Sequence, residues 1–153
     1  MSTTTPTASL TVRKTLPCRP ERAFRAWTDP SQYEQWFTSC GGMAMTAEMD
    51  LRVGGKYRLT CKHGDGQPTT HVGGEFLVIE PPHRIEYTWI WEKESNPAWN
   101  DRSVVTVTFT ALPENRCELV LTHALISDPE QRKGHAEGWT RIIDNMAAAM
   151  ARP

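Results

Sequence analysis

Histidine and cysteine are the residues of this sequence best suited to metal chemistry. Cys61 and His63 share one face of a predicted strand, and His71 lies across the hairpin that would follow it. Thiolate and imidazole are ligands that zinc prefers, but this spacing matches no standard zinc site. We therefore predict no bound metal and no other cofactor.

Two further histidines could take part in acid–base chemistry. His123 lies on the apolar face of a predicted strand, and His135 lies one turn before Trp139 on a predicted helix. An imidazole in a pocket can hydrogen-bond a ligand or act as a general base, although such residues more often pack locally. The sequence has no nucleophile-elbow, metallopeptidase or nucleotide-binding signature. Glu75 and Glu86 have no readable acid–base partner, so whether the protein is an enzyme stays open.

Tryptophan is unusually frequent, with six among 13 aromatic residues. Trp89 and Trp91 point the same way as Tyr87 from one predicted strand. They either pack on the final helix or line a cavity with it, and both readings stay open because an indole N–H needs a partner. The other predicted cavity walls come from neighbouring strands and the last helix: Phe109, Leu121, His123, His135, Trp139, Ile142 and Met146.

The remaining tryptophans divide by context. Trp27, Trp36 and Trp139 lie on apolar helix faces, where burial in the core is the usual outcome. Trp99 lies in the polar connection between two strands, so it is a candidate lid over the cavity mouth or a contact for another chain. The alternative is a loop aromatic folded back on its own domain.

Hydrophobic periodicity places these residues on a strand, two short helices, a run of strands and a long helix. Period-two alternation then dominates for some eighty residues, and it puts Phe76 and Val78 on one face of their strand. The predicted strands are Leu10–Leu16, Met43–Leu51, Lys56–Lys62, Thr70–Glu80, Arg84–Glu92, Ser103–Leu112 and Arg116–His123.

The last helix has an apolar stripe that must bury against the sheet. Either Ser127 or Asp128 can cap its first turn. Gly134 and Gly138 lie four residues apart within it, which suggests close backbone approach or room left for a ligand.

Composition is that of one soluble domain. The chain has 153 residues, 39% of them hydrophobic and 23% charged, which is enough for one core without disulfides. The formal charge of −1 provides no field that would attract a polyanion, so nucleic acid is not an expected partner.

Processing and compartment follow from the termini and the cysteines. Residues 1–9 have neither a basic region nor an apolar run, so we predict a disordered leader and a single domain over 10–152. No apolar run reaches the roughly 18 residues of a membrane span. The four cysteines are irregularly spaced, which favours a reducing cytoplasm.

Several motifs together resemble one known family, the AHSA1-like proteins of the START-like (SRPBCC) superfamily. The resemblance covers about Leu10 to Met150. The matching segments are Ala26-Trp27-Thr28-Asp29-Pro30 with Trp36-Phe37, Asp50-Leu51-Arg52-Val53-Gly54-Gly55, Pro81-Pro82 with Arg84 and Thr88-Trp89, and His135-Ala136-Glu137-Gly138-Trp139.

The resemblance implies an α+β helix-grip fold of order β-α-α-β(5-6)-α, with a curved antiparallel sheet of about six to seven strands around a long C-terminal helix. A curled sheet packed against one amphipathic helix can leave an apolar gap between them, which favours binding of a small hydrophobic or aromatic molecule there. Such binding predicts a pocket on the order of hundreds of cubic ångströms lined by Trp89, Phe109 and Trp139.

Two alternatives stay open. One is a cyclase- or hydrolase-like enzyme that uses the same cavity, which requires His123, His135 or a carboxylate to point into it. The other is the co-chaperone or stress-response role that the family name suggests. Sheet edges and Trp99 also need cover, which favours a homodimer.

Overall fold

The computed structural model describes residues 9–36, 44–62, 69–92 and 102–151. Within these ranges the chain forms one sheet of seven strands and three helices. In chain order the elements are β1 (Leu10–Leu16), α1 (Pro20–Thr28), α2 (Pro30–Trp36), β2 (Ala44–Met49), β3 (Lys56–Lys62), β4 (Thr70–Glu80), β5 (Arg84–Trp91), β6 (Ser103–Leu112), β7 (Arg116–Ala124) and α3 (Pro129–Met150).

The sheet is an antiparallel meander with one long-range pairing. Strands β2 to β6 each pair with the next strand in sequence, and β1 pairs with β7, which gives the order β1-β7-β6-β5-β4-β3-β2. Every pairing is antiparallel, so the meander needs only short connections between most neighbours. The predicted α+β helix-grip architecture is confirmed.

The helix pair α1 and α2 follows the predicted signals. Pro20 occupies the first turn of α1, where its fixed φ angle is favourable. Phe24 and Trp27 lie on the buried face of that helix. Asp29 caps α2, because its Oδ1 accepts a hydrogen bond from the Ser31 amide at 3.0 Å.

Helix α3 begins at Pro129 and uses Asp128 as its cap. The Asp128 carboxylate accepts a hydrogen bond from the Glu130 amide at 2.9 Å, so Asp128 takes this role and not Ser127. The predicted apolar stripe is confirmed on the face toward the sheet. Its buried residues are His135, Trp139, Ile142, Ile143, Met146 and Met150.

Strand β4 departs from the predicted alternation. A bulge between Phe76 and Val78 shifts the register, so Phe76 lies opposite Tyr87 in the core while Val78 lies opposite Glu86. The prediction that Phe76 and Val78 share a face is therefore wrong. An extra residue in one strand reverses the facing of all residues beyond it, and a period-two pattern does not reveal where it is inserted.

The same strand approaches β5 closely at Gly74. A Cβ atom at this position would collide with the carbonyl oxygen of Thr88. The Thr88 hydroxyl accepts a hydrogen bond from the Glu75 amide at 2.9 Å, and its carbonyl accepts one from the Tyr57 hydroxyl. Side chains thus satisfy the backbone groups that the ladder leaves out.

Candidate functional site

Six interior side chains form one aromatic and polar group between the sheet and α3, which we call the tryptophan–histidine cluster. Strand β5 supplies two tryptophans, β6 a serine, β7 a histidine, and α3 a histidine and a tryptophan one turn apart. The members are Trp89, Trp91, Ser103, His123, His135 and Trp139.

The rings of the cluster are in direct contact. The centroids of Trp89 and Trp139 are 5.0 Å apart, and those of His123 and His135 are 4.8 Å apart in an edge-to-face arrangement. Trp91 contacts Trp89 edge to face at 5.9 Å. Such spacings are those of favourable aromatic pairs, so the cluster contributes to stability as well as offering polar groups.

His123 is held in one tautomer by its partners. The Trp139 indole donates from Nε1 to His123 Nδ1 at 3.0 Å, and an indole nitrogen can only donate. The neutral ring therefore carries its hydrogen on Nε2, which donates to Ser103 Oγ at 2.8 Å. Ser103 in turn donates to the Trp89 carbonyl at 2.7 Å, which completes a chain from α3 to β5.

His135 is held in the same way with its nitrogens reversed. Trp91 Nε1 donates to His135 Nε2 at 3.0 Å. The hydrogen is therefore on Nδ1, which donates to the Gln131 carbonyl at 2.8 Å. Each imidazole accepts from a tryptophan and donates to an oxygen.

Burial keeps both histidines neutral. Desolvation lowers the pKa of His123 to about 3, with repulsion from His135 as a further cause. Desolvation also lowers the pKa of His135, against an opposing contribution from the Gln131 carbonyl. Protonation of either ring would set an N–H against a tryptophan N–H. The cluster is therefore an uncharged polar interior near neutral pH.

Trp89 differs from the other tryptophans that the structure describes. Trp27 donates to the Tyr87 hydroxyl at 3.1 Å, Trp36 donates to the Ala26 carbonyl at 3.0 Å, and the histidines accept from Trp91 and Trp139. The Nε1 of Trp89, a residue only 3% exposed, has no acceptor among the described residues. A buried donor without an acceptor costs about 1–3 kcal/mol.

The described residues leave little open space between the sheet and α3. One enclosed pocket of about 40 Å³ lies beside His135 and residues 125–128, and another of about 10 Å³ lies among the aromatic rings of α1, α2, β3, β4 and β5. The expected pocket of hundreds of cubic ångströms lined by Trp89, Phe109 and Trp139 is not found between these residues. Their own rings fill the space.

Leu125 borders the larger of these two pockets in an uncommon conformation. Its φ angle is +69°, and its side chain is 56% exposed despite its size. A leucine in the left-handed region costs about 1 kcal/mol or more. The connection between β7 and α3 is therefore a strained part of the pocket wall.

The structure brings together almost all of the predicted cavity residues. Apart from Trp91, which is half-buried, they are fully or almost fully buried in one core, in agreement with their predicted facing: Tyr87, Trp89, Phe109, Leu121, His123, His135, Trp139, Ile142 and Met146. The candidate lid Trp99 lies outside the described residues.

Two contributors to the cluster were not anticipated from the sequence. Ser103 links His123 to the β5 backbone, and Gln131 fixes the ring of His135. Ser103 could have been found from the sequence, because it lies two residues before Val105 on β6 and so faces the same side of the sheet. Nothing in the sequence marks the backbone carbonyl of Gln131.

The suggested zinc ligands do not converge. Cys61 faces the core, whereas His71 lies opposite Thr60 on the other face of the sheet and contacts its hydroxyl at 3.0 Å. His63 lies outside the described residues. Within the described ranges, no three potential ligand side chains approach one another closely enough to hold a metal.

An open depression of about 730 Å³ lies over β2 to β5 and was not anticipated. The Arg58 guanidinium reaches across Gly73 and donates to both carboxylate oxygens of Glu92, at 2.8 and 3.0 Å. Lys56 and Glu75 also border this outer groove. Its wall combines exposed charges of both signs with apolar side chains such as Met49 and Ile90.

Comparisons with known proteins agree with this architecture. A family model described as "Activator of Hsp90 ATPase homolog 1-like protein" matches residues 17–151. No curated protein matches the chain. None of the described helices is both long and apolar enough to cross a membrane.

Solved structures resemble the chain over nearly its full length. A protein from Chromobacterium violaceum is 24% identical with a TM-score of 0.85, covering 95% of this chain and 99% of that one. An AHSA1 protein from Silicibacter pomeroyi is 26% identical with a TM-score of 0.78, covering 94% and 98%. An HSP90 activator from Plasmodium falciparum is 28% identical with a TM-score of 0.72, covering 95% and 98%.

Proposed function

The chain belongs to the family of Activator of Hsp90 ATPase homolog 1-like proteins, and from this premise we propose that it binds a small aromatic or apolar molecule at the tryptophan–histidine cluster. The molecule carries a hydrogen-bond acceptor, which pairs with the indole N–H of Trp89. Fold and family are compatible with such binding but do not select a ligand.

The observation that carries the proposal is the buried Nε1 of Trp89. It is the one indole donor among the described tryptophans that lacks an acceptor, and it lies within a group of contacting aromatic rings. An aromatic molecule with a carbonyl or ether oxygen would satisfy the donor and stack on the same rings. Both contributions favour binding.

The room for such a molecule has to be opened. The enclosed pocket of about 40 Å³ next to His135 is of water size, so it marks only the starting point. We place the opening at residues 125–128, where Leu125 is already strained and exposed. Burial of about 200 Å² of apolar ligand surface supplies about 5 kcal/mol, which can offset the displacement of these few residues.

The chemistry of the cluster selects for a neutral ligand. Both histidines are held uncharged, so neither offers a cation to an anionic group. The nearby Asp128 carboxylate already caps α3. A charged ligand would lose its hydration without a partner of opposite charge, which is costly in an interior of this kind.

We test this proposal with a neutral aromatic ketone, the polarity-sensitive dye 6-propionyl-2-(dimethylamino)naphthalene. We expect a blue shift of its emission on titration with the protein. Trp89→Phe keeps the aromatic packing but removes the donor, so its affinity for the dye falls about tenfold, equivalent to one hydrogen bond of about 1.4 kcal/mol.

Trp36→Phe is the matched control, because it removes an indole donor that already has the Ala26 carbonyl as acceptor. We expect this variant to lose stability while it keeps its affinity for the dye. Equal affinity of wild type and Trp89→Phe would overturn the proposal. Loss of stability in Trp89→Phe without loss of affinity would instead assign the acceptor to the protein itself.

An enzymatic role has less support from the geometry. His123 and His135 lie in the interior, as a general base in this cavity would require, but each ring already accepts from a tryptophan and donates to an oxygen. A base needs a nitrogen lone pair directed at the substrate. Catalysis by either ring would therefore require the cluster to rearrange first.

A co-chaperone role is the second candidate. The observation in its favour is the 28% identity to a protein described as an HSP90 activator, over nearly the full length of both chains. Pull-down of Hsp90 by the purified protein, together with a rise in the Hsp90 ATPase rate, would support it. Trp89→Phe then separates the two functions, because it should lower the affinity for the dye but leave the effect on the Hsp90 ATPase rate unchanged.

Homodimer formation and a cytoplasmic location remain proposals. The strands β1 and β2 form the edges of the described sheet, and unpaired edges favour association. No disulfide joins the described cysteines, which is consistent with a reducing compartment. The subunit count in a native mass spectrum tests the first of these proposals.

A further inference from the structure

Cys18 and Cys117 are two buried thiols at the β1–β7 end of the sheet, opposite to β2. Leu16, the last residue of β1, lies opposite Cys117 at the start of β7, and Cys18 follows two residues later in the turn before α1. This register brings the Cys18 and Cys117 side chains close together on the core-facing side of the sheet. Neither residue forms a disulfide in the structure.

The two thiols differ in access. Cys18 is only 5% exposed but forms part of the wall of an open groove of about 690 Å³, whereas Cys117 is fully buried and does not reach that groove. A reagent in the groove therefore meets Cys18 first. Cys117 lies behind it, in the position of a second thiol that can attack a bond formed at the first.

The groove beside Cys18 is electropositive. Its wall includes three arginines of the turn and helix α1, Arg19, Arg22 and Arg25, against one carboxylate, Glu21. Glu21 pairs with Arg19 at 3.8 Å, and Arg25 has no ion pair among the described residues. The groove therefore favours an anionic reagent.

The surroundings of the two thiols also shift their pKa values in opposite directions. The hydrogen bond from Cys117 is the main cause that lowers the pKa of Cys18, with a further contribution from Arg22 against the opposing effect of burial. The same hydrogen bond and burial raise the pKa of Cys117. Cys18 is thus the more acidic thiol of the pair, from which the thiolate, the nucleophile in disulfide exchange, forms more readily.

From this arrangement we infer that Cys18 and Cys117 form a redox-active dithiol that reacts with a small disulfide carrying carboxylates. The Cys18 thiolate attacks one sulfur of the reagent, which forms a mixed disulfide and releases one thiolate. Cys117 then loses its proton and attacks the Cys18 sulfur, which forms the Cys18–Cys117 disulfide and releases the second thiolate. The reagent is reduced to two thiols and the protein loses two hydrogens.

The test treats the reduced full-length protein with oxidised glutathione and maps the product with trypsin. Cleavage after Lys14 and Arg116 places the two thiols in peptides 15–22 and 117–132, because the Arg19–Pro20 bond resists cleavage. We expect these two peptides to become cross-linked, with Cys18 reacting at least about tenfold faster than Cys61. Cys61 serves as the internal control, since it is also buried but does not border this groove.

Two variants separate the steps. Cys117→Ser should stop the reaction at a mixed disulfide of glutathione on Cys18. Arg25→Gln should slow the reaction with oxidised glutathione about threefold, because it removes one screened positive charge. Arg25→Gln leaves the rate with hydroxyethyl disulfide, a neutral reagent, unchanged. Absence of the cross-link in wild type, or equal rates at Cys18 and Cys61, would overturn the inference. An equal effect of Arg25→Gln on both reagents would remove the preference for an acidic disulfide.

Discussion

At the level of single residues, four of the five described tryptophans donate their indole N–H to an acceptor within the protein, and Trp89 is the exception. Their apolar faces were predictable from periodicity, and so was the need of each N–H for an acceptor. The acceptors themselves were not predictable, because Tyr87, His123 and His135 come from elements distant in sequence. Side-chain partners across elements depend on packing, which a one-dimensional pattern does not contain.

The neutral state of His123 predicts a loss of stability in mild acid. Its pKa is about 3 in the folded protein and about 6.5 when unfolded, so only the unfolded chain takes up the proton between these values. The contribution of His123 is fully present above pH 6.5 and is lost as pH falls toward 3. We expect the free energy of unfolding to drop by about 2 kcal/mol from this residue between pH 7 and 5.

Urea unfolding of wild type and His123→Gln at the two pH values measures this contribution. Glutamine keeps one acceptor and one donor for Trp139 and Ser103 but has no proton to titrate in this range. The variant should therefore be less sensitive to pH by about 2 kcal/mol, although His135 still titrates. Parallel losses in both proteins would show that His123 is not held neutral.

At the level of elements, the strands, the helix pair and the last helix agree with the sequence to within one or two residues at most ends. The prediction failed inside β4, where the bulge after Phe76 changes the facing of Val78. The sequence left two candidates for the N-cap of α3, Ser127 and Asp128. The hydrogen bond from the Glu130 amide to the Asp128 carboxylate identifies Asp128 as the cap. The bulge and the cap both depend on individual hydrogen bonds, which leave no repeating hydrophobic pattern in the sequence.

The same substitution, glycine to alanine, should have opposite effects on stability at Gly74 and at Gly138. Gly74→Ala places a methyl group against the Thr88 carbonyl and should destabilise the fold by about 3 kcal/mol. Gly138→Ala meets no atom within 4 Å and should stabilise α3 by about 1 kcal/mol. Thermal unfolding of both variants checks the pair. A stable Gly74→Ala protein would contradict the close approach of β4 to β5.

At the level of the whole molecule, the family and the fold were recognisable from the sequence, whereas the volume of the interior was not. The predicted wall residues do converge, but their rings fill the space that an open cavity would occupy. Cavity volume is the small difference between the space that the backbone encloses and the volume of the side chains. Residue types and facing alone do not determine that difference.

Native mass spectrometry of the protein purified from its own host tests the central claim most directly. We predict a neutral small molecule that stays bound to the folded wild type, leaves on unfolding, and is reduced or absent in Trp89→Phe purified in parallel. The Trp36→Phe control should retain it. A spectrum that contains only the mass of the ligand-free protein, for wild type as for Trp89→Phe, would contradict the account.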